Sequence, residues 1–526
     1  MRTISATRGC FLGKKTGPWR RALRKRLGAC MACALALLSP VAASAADAVP
    51  QAQSDALRIH DAIDSAGTKI DSHDPAGARD LLLATMASAG YANATPYDRY
   101  FAQRLMAWSY LDLNDHPAAL VWARKATQSP SADEIDWQMR VRAAAWTDDF
   151  DDASASLIVL SQRWPGKVSG LADQTIGHVT ANVSTAVSQD RAYALFGTLI
   201  DAGWVPNDAF LDVDELLLAL TRHCLERGDI ARAKAYGARI RAPDILIAMR
   251  ADKRFDEVVA AAPDRFDVVK ALDGDLARYR ALQAAQPEKL EGVVTLAAHL
   301  NSMGRESEAL ALIDAALARI AAGKPFADQA EKLNWAYDAR STALIGLGRG
   351  NEATSTMARG AVVDENGEPN VSQAINLADI YNGMGRPDDA LASVARIDLN
   401  YPSPYGRMSL QGARACAYAQ RHEKEKLMPL LAYLKSHAGD GERVALEAFV
   451  CADDLDGAAA MVTAQLDDPA QRGAILLKLQ DYPARPSAFS PDFHRRWLEI
   501  RARPDVQAAI ARVGRIQFYP MTSLGY

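Results

Sequence analysis

The sequence predicts an all-α chain, an α-solenoid of antiparallel helical hairpins, and three observations predict it. After Ala46, apolar residues recur at spacings of three and four, as in Leu81, Leu82, Thr85 and Met86 or Leu216, Leu217, Leu220 and Cys224. That is the period of a helix with one buried face. No sustained two-residue alternation of the kind a strand needs interrupts it. A short pattern also recurs: Met303-Gly304-Arg305 then Ala309, Leu347-Gly348-Arg349 then Ala353, Met384-Gly385-Arg386 then Ala390, and Arg227-Gly228-Asp229 then Ala233. Each Gly stands five residues before its Ala. Gly ends one helix because it accepts the left-handed backbone there, and Ala opens the next where two helices cross too closely for a larger side chain.

Composition agrees with a long folded array. The chain has 526 residues, 49 % hydrophobic and 24 % charged, which excludes bulk disorder. Six Cys exclude a disulfide-dense scaffold.

In chain order, residues 1–45 come first. They hold nine Lys/Arg and no Asp or Glu, then the apolar run Leu27–Leu38, the break Ser39-Pro40 and Ala43-Ser44-Ala45. Basic region, short apolar run and small-residue site are the parts of a secretory signal peptide. Arg20-Arg21 leaves general and twin-arginine export both open. Cleavage after Ala45 leaves 51 Lys/Arg against 64 Asp/Glu, a net charge of −13. An acidic mature chain argues against nucleic acid or an anionic membrane as partner.

The hairpins follow. Frames of about 34 residues start at 100, 134, 290, 334, 371 and 408, with a weaker one at 214 and degenerate copies near 59, 175 and 439. The frame at 134 places Trp137 fourth, Ala144 eleventh, Ala153 twentieth, Leu157 twenty-fourth and Pro165 thirty-second. The frame at 371 places Leu377, Ala378, Tyr381, Ala390, Val394 and Pro402 at their expected positions. This resembles the tetratricopeptide repeat, a helix–turn–helix with the pattern W-x2-L-G-x2-Y, A-x3-F and P, over most of residues 59–470. The resemblance implies a superhelix that binds a protein or peptide. Departures stand out. Arg140 and Arg340 occupy the usually apolar seventh position. Gly237 and Gly360 replace larger residues. Ala322-Gly323-Lys324-Pro325 lengthens one unit by a loop or a longer second helix.

Two blocks are expected: repeats over 46–262, a joint at 263–289, repeats over 290–470, and a Pro-containing linker, closing helix and tail over 471–526. Met249–Asp256 resembles Ile500–Asp505, and both read as end caps for a solenoid whose last apolar face would meet water. The tail Ile516–Tyr526 is expected to pack on the array or fray.

Catalytic signatures are absent from the sequence. None of nine His forms a metal-site spacing, and no phosphate loop or nucleophile elbow occurs. Neither a metal nor a cofactor is expected. Asp453-Asp454-Leu455-Asp456-Gly457 fails the calcium-loop pattern at its first and twelfth positions. Asp148-Asp149-Phe150-Asp151-Asp152 reads as a solvated, helix-opening cluster. Of Cys224, Cys416 and Cys451, the favoured reading is three small buried hydrophobes; the alternative is a Cys416–Cys451 bridge between successive repeats.

Two functions remain. The first is an exported, non-catalytic scaffold for a protein or peptide of the cell envelope. The second is a hydrolase or carbohydrate-active protein with a carboxylate pair in the curved array. For the first, the groove positions of the resembled repeat fall on Trp335 and Asp338 (second and fifth of the frame at 334) and on Asp379 and Asn382 (ninth and twelfth of the frame at 371), with Asn376 beside them. Asn376, Asp379 and Asn382 are spaced by three and are expected to share one helix face. Amides would bond a peptide backbone and the indole would cover an apolar side chain.

Overall fold

The computed structural model describes residues 48–363, 370–400, 403–483 and 490–521. The expected signal peptide (1–45), its cleavage point and Pro402 lie outside them. Helix makes up 77 % of the structure, and there is no strand among the described residues. No described helix is long and apolar enough to cross a membrane.

The chain divides into two compact units, up to Leu220 and from Thr221. Unit 1 is a row of hairpins: α1 Ala48–Asp71 with α2 Pro75–Ala87, α3 Pro96–Asp112 with α4 His116–Ala126, α5 Glu134–Ala145 with α6 Phe150–Arg163, and α7 Asp173–Ala186 with α8 Gln189–Asp201. Helix α9 (Asp214–Glu226) carries the chain across the boundary. Unit 2 continues with α10 Ile230–Gly237, α11 Pro243–Ala251, α12 Asp256–Ala261 and α13 Val268–Ala285. Its hairpins are α14 Leu290–Ser302 with α15 Glu306–Ala321, α16 Gln329–Gly346 with α17 Gly350–Ala361, α18 Val371–Gly383 with α19 Pro387–Ser393, α20 Pro404–Gln420 with α21 Lys424–Ser436, and α22 Glu442–Cys451 with α23 Leu455–Asp467. Then come α24 Arg472–Leu479, α25 Pro491–Ala502 and α26 Pro504–Val513. Most of the stretch 263–289 is α13, packed on α14.

One turn builds nearly every hairpin. Gly228, Gly304, Gly348 and Gly385 have φ between 69° and 73°, as their spacing to Ala requires. His73, Asn114, Asp148, His422 and Asp453 hold the same left-handed position, with φ from 56° to 65°. Five residues after them stand Ala78, Ala119, Ala153, Leu427 and Ala458, all buried like Ala233, Ala309, Ala353 and Ala390. The residue after the left-handed one donates its N–H to the carbonyl five residues back, as Asp115 does to Tyr110 at 2.9 Å and Arg305 to Leu300 at 2.8 Å. This satisfies a carbonyl that the helix end leaves open. That same residue then caps the second helix. Asp74, Asp115, Asp149, Asp229 and Asp454 do so with the carboxylate. Arg305, Arg349 and Arg386 instead pair with the acid three residues on, at 2.6–2.7 Å.

The departures from the repeat pattern have local causes. Arg140 reaches Asp152 at 2.7 Å and Thr127 at 2.9 Å. Arg340 reaches Asp314 at 2.6 Å and Thr356 at 2.5 Å. In both hairpins the seventh position bridges the two flanking second helices by hydrogen bonds where an apolar residue would pack. A Cβ on Gly237 would stand 2.5 Å from Val258, and one on Gly360 would stand 3.1 Å from Tyr337, so close packing selects glycine. Helix α15 is long, and left-handed Gly323 follows its end, before a loop. Both of the expected lengthening devices are present.

The acidic runs do more than open helices. Asp152 is buried and holds both Arg124 (2.6 Å) and Arg140, so it is an ion-pair anchor where a solvated residue was expected. Asp453 pairs with Arg496 and Asp456 with Arg503, at 2.9 and 2.7 Å. In unit 1, buried Arg104 bonds Tyr100 Oη at 2.8 Å and Asp133 at 3.0 Å, and Tyr100 donates to buried Asp136 at 2.8 Å. This network ties α3 to the start of α5.

Unit 2 closes on itself. Helix α24 packs on α11, and Gly473 approaches Ala248. Arg254 donates to the Pro469 carbonyl at 2.9 Å, and Arg515 to the Arg250 carbonyl at 3.2 Å. The segment Met249–Asp256, read as an end cap, is therefore covered by residues 469–473 and 514–515. Residues 515–521 of the tail are ordered there, with Tyr519 and Met521 buried and Tyr519 N–H bonded to Asp481.

The cysteine expectation is corrected. Cys416 of α20 and Cys451 of α22 form a disulfide, their Cα atoms 5.1 Å apart. Adjacent first helices bring the two side chains together, which sequence spacing alone does not show. Cys224 is free and buried.

Candidate functional site

The first helices of unit 2 stand side by side, and their shared face carries a track of polar groups. Trp335 of α16 is 39 % exposed. One turn on, Asp338 accepts a hydrogen bond from Asn376 Nδ2 of α18 at 3.0 Å. Asp379, a turn beyond Asn376, is exposed. Tyr405 of α20 accepts from Arg443 of α22 at 3.0 Å. Arg443 pairs with Glu447 at 3.1 Å, and Glu447 with Lys478 of α24 at 2.9 Å. Helices α16, α18, α20, α22 and α24 thus contribute to one face.

Electrostatics single out two carboxyls. Burial pushes Asp338 up to about 6, partly offset by the Asn376 hydrogen bond. Asp379 rises to about 7, through burial first and the nearby Glu447 second, against the opposing pull of Arg443. Asp379 therefore reaches water while protein shields it on most sides. No cation forms an ion pair with it among the described residues, because Arg443 and Lys478 are both engaged by Glu447.

Of the five residues the sequence nominated, four lie on this track and one does not. Asn382 is buried, and its amide donates to the Ala413 carbonyl at 2.9 Å. Asn301, at the same twelfth position of the frame at 290, donates to the Ala339 carbonyl at 3.0 Å. This position tethers one first helix to the next. The expectation of one shared stripe fails for a geometric reason: a step of three residues falls about 60° short of a full turn, so Asn382 is rotated by about 120° from Asn376.

The sequence reading missed Tyr405, Arg443, Glu447 and Lys478. A signal for two of them existed. The degenerate frame at 439 places Arg443 fifth and Glu447 ninth, the positions that Asp338 and Asp379 hold in their own frames.

Chemically, the face offers two carboxyls, Asp338 and Asp379, with no ion pair among the described residues, an exposed indole and a paired Arg–Glu–Lys cluster. No group of three or more His, Cys, Asp or Glu able to hold a metal ion occurs among the described residues.

No known family profile matches the chain, and neither does any curated protein. Among solved structures it is similar to the APC/C hetero-tetramer Cut9–Hcn1, with 14 % identity over 86 % of this chain and 77 % of that one and a TM-score of 0.38. It is similar to a Rap protein complexed with competence and sporulation factor, with 12 % identity over 86 % and 99 % and a TM-score of 0.28. It is similar to the P58(IPK) TPR domain, with 12 % identity over 85 % and 100 % and a TM-score of 0.19.

Proposed function

We propose that this protein is an exported, non-catalytic scaffold that holds a protein or peptide of the cell envelope on the first-helix face of unit 2. The observation that carries this reading is the track itself, polar groups from α16, α18, α20, α22 and α24 on one face, beside the exposed Trp335. An extended segment needs such a row of donors and acceptors spaced along its length. Export is supported by the basic, apolar and small-residue parts of residues 1–45, and by the Cys416–Cys451 bridge, since disulfides persist mainly in oxidising compartments.

The test is a triple change of Trp335, Asn376 and Asp379 to Ala. Asn382 is left intact because it tethers helices. The variant should keep its helicity and lose a partner that the wild type captures from envelope extract with cross-linking. Equal capture by both forms sinks the assignment of this face. Sequencing of the secreted form should give an N-terminus at Ala46; a retained head in a cytosolic protein sinks the export reading.

A second reading has one observation in its favour. Burial raises the pKa of Asp338 to about 6 and of Asp379 to about 7, the range a general acid needs. Hydrolysis of envelope glycans by the purified protein, abolished by Asp379→Asn, would favour that enzyme over the scaffold.

A further inference from the structure

The first helices of unit 1 carry a second, differently charged face. Trp108 and Asp112 stand one turn apart on α3. Arg142 of α5 and Trp146, just past its end, stand one turn apart at the matching positions 34 residues on. Helix α7 adds His178. Trp146 is 36 % exposed, and its ring is stacked flat on His178, with centroids 5.3 Å apart and planes 14° apart. His178 is itself fixed. Its Nε2 lies 3.1 Å from Asp148 Oδ1, and the edge of Phe150 meets it at 5.1 Å. His116 approaches the indole at 6.5 Å. The result is a fixed aromatic cluster whose indole is partly exposed.

Arg142 stands beside that plane. It is exposed, and no hydrogen bond or ion pair engages its guanidinium among the described residues. The contrast within unit 1 is clear: Arg104, Arg124, Arg140 and Arg191 all pair with aspartates. Burial lowers the Arg142 pKa, and Asp112 is the opposing charge that acts on it. His116 is shifted down by burial and by Arg142, so it adds a neutral ring at pH 7. A partly shielded guanidinium without an acceptor favours an incoming anion. With Asp112 close by and a strongly acidic chain around it, the site suits one carboxylate better than a polyphosphate or an anionic bilayer.

We propose that the face around Arg142 and Trp146 is a second binding site, for an acidic peptide segment. A side-chain carboxylate of the segment accepts from Arg142, and an apolar neighbour in the segment lies on the Trp146 ring. This rests on the scaffold reading in taking a peptide, and differs from it in place and charge.

The test uses the chain from Ala46 and two end-blocked peptides, one alternating Glu and Leu, the other Gln and Leu, measured by titration calorimetry. The Glu peptide should bind at least about tenfold more tightly, as one charge-assisted hydrogen bond allows, and should weaken with added salt. Arg142→Gln should abolish the preference, Arg142→Lys should keep part of it, and Trp146→Ala should weaken both peptides. Circular dichroism and melting curves confirm that each variant folds. Equal binding of the two peptides, binding of neither, or a Glu preference that survives Arg142→Gln overturns the proposal. If capture of the envelope partner is still lost in the unit 2 triple variant, the scaffold reading stands without it. If that variant captures normally and the Glu peptide also fails, both fall.

Discussion

The Arg515 guanidinium holds both carboxylate oxygens of Asp256 at 2.7 Å, although 259 residues separate them. This pair sits where the end of unit 2 meets its beginning. An exposed ion pair contributes only about 0–1 kcal/mol, so Arg515→Ala alone should be nearly silent. Ending the chain at Val513 should instead cost about 3–5 kcal/mol, because it also removes buried Tyr519 and Met521. Urea unfolding checks this. Hydrogen exchange should show α11 and α24 losing protection together, and an unchanged midpoint would mean that the closure adds nothing to stability.

The disulfide gives a counting experiment. The chain from Ala46 has three cysteines. Denatured without reductant, it should take up one alkyl group, on Cys224; after reduction it should take up three. Replacing Cys416 and Cys451 together by Ala should lower stability by about 2–4 kcal/mol, the range for closing a loop of a few tens of residues.

The hairpin crossings can be probed by overpacking. Ala309 and Ala390 are buried where second helices meet first helices. Ala309→Phe and Ala390→Phe should each destabilise by about 1–3 kcal/mol, read as a drop in melting temperature. No change in either would mean that the crossings tolerate a side chain for which the packing leaves no space.

Asp379 predicts a pH dependence with a defined sign. Its folded pKa, about 7, lies above the ordinary carboxylate value. The folded state therefore binds the proton more tightly, and this contribution is complete at acid pH and lost as pH rises through about 7. Asp379→Asn should melt with the wild type near about pH 4 and at a higher temperature than the wild type near about pH 8. Calorimetry at the two values decides it. A variant that melts lower at the alkaline value would show that the ionised carboxylate has a cation partner.

Much of the fold is legible in short stretches because its rules are local. The Gly-to-Ala spacing of five marked four hairpins. The same turn at Asn114, Asp148 and Asp453 went unmarked because Asn and Asp also accept the left-handed backbone, so no glycine signals it. The site was half legible. Frame positions placed Trp335, Asp338, Asn376 and Asp379 on one face, and the arithmetic of 3.6 residues per turn removed Asn382 from it.

By itself, the sequence determined the all-α class, the hairpin turns and the alanines at the crossings, since each depends on residues a few positions apart. Only the tertiary structure decided that α24 returns to α11, that Cys416 meets Cys451, and that Arg140 and Arg340 bridge second helices. It also decided that Arg142 has no hydrogen-bond or ion-pair partner among the described residues, while Arg104, Arg124, Arg140 and Arg191 are paired. Those relationships join residues that lie far apart in sequence or on different helices. They are fixed by how the helices stack, and no local pattern encodes that.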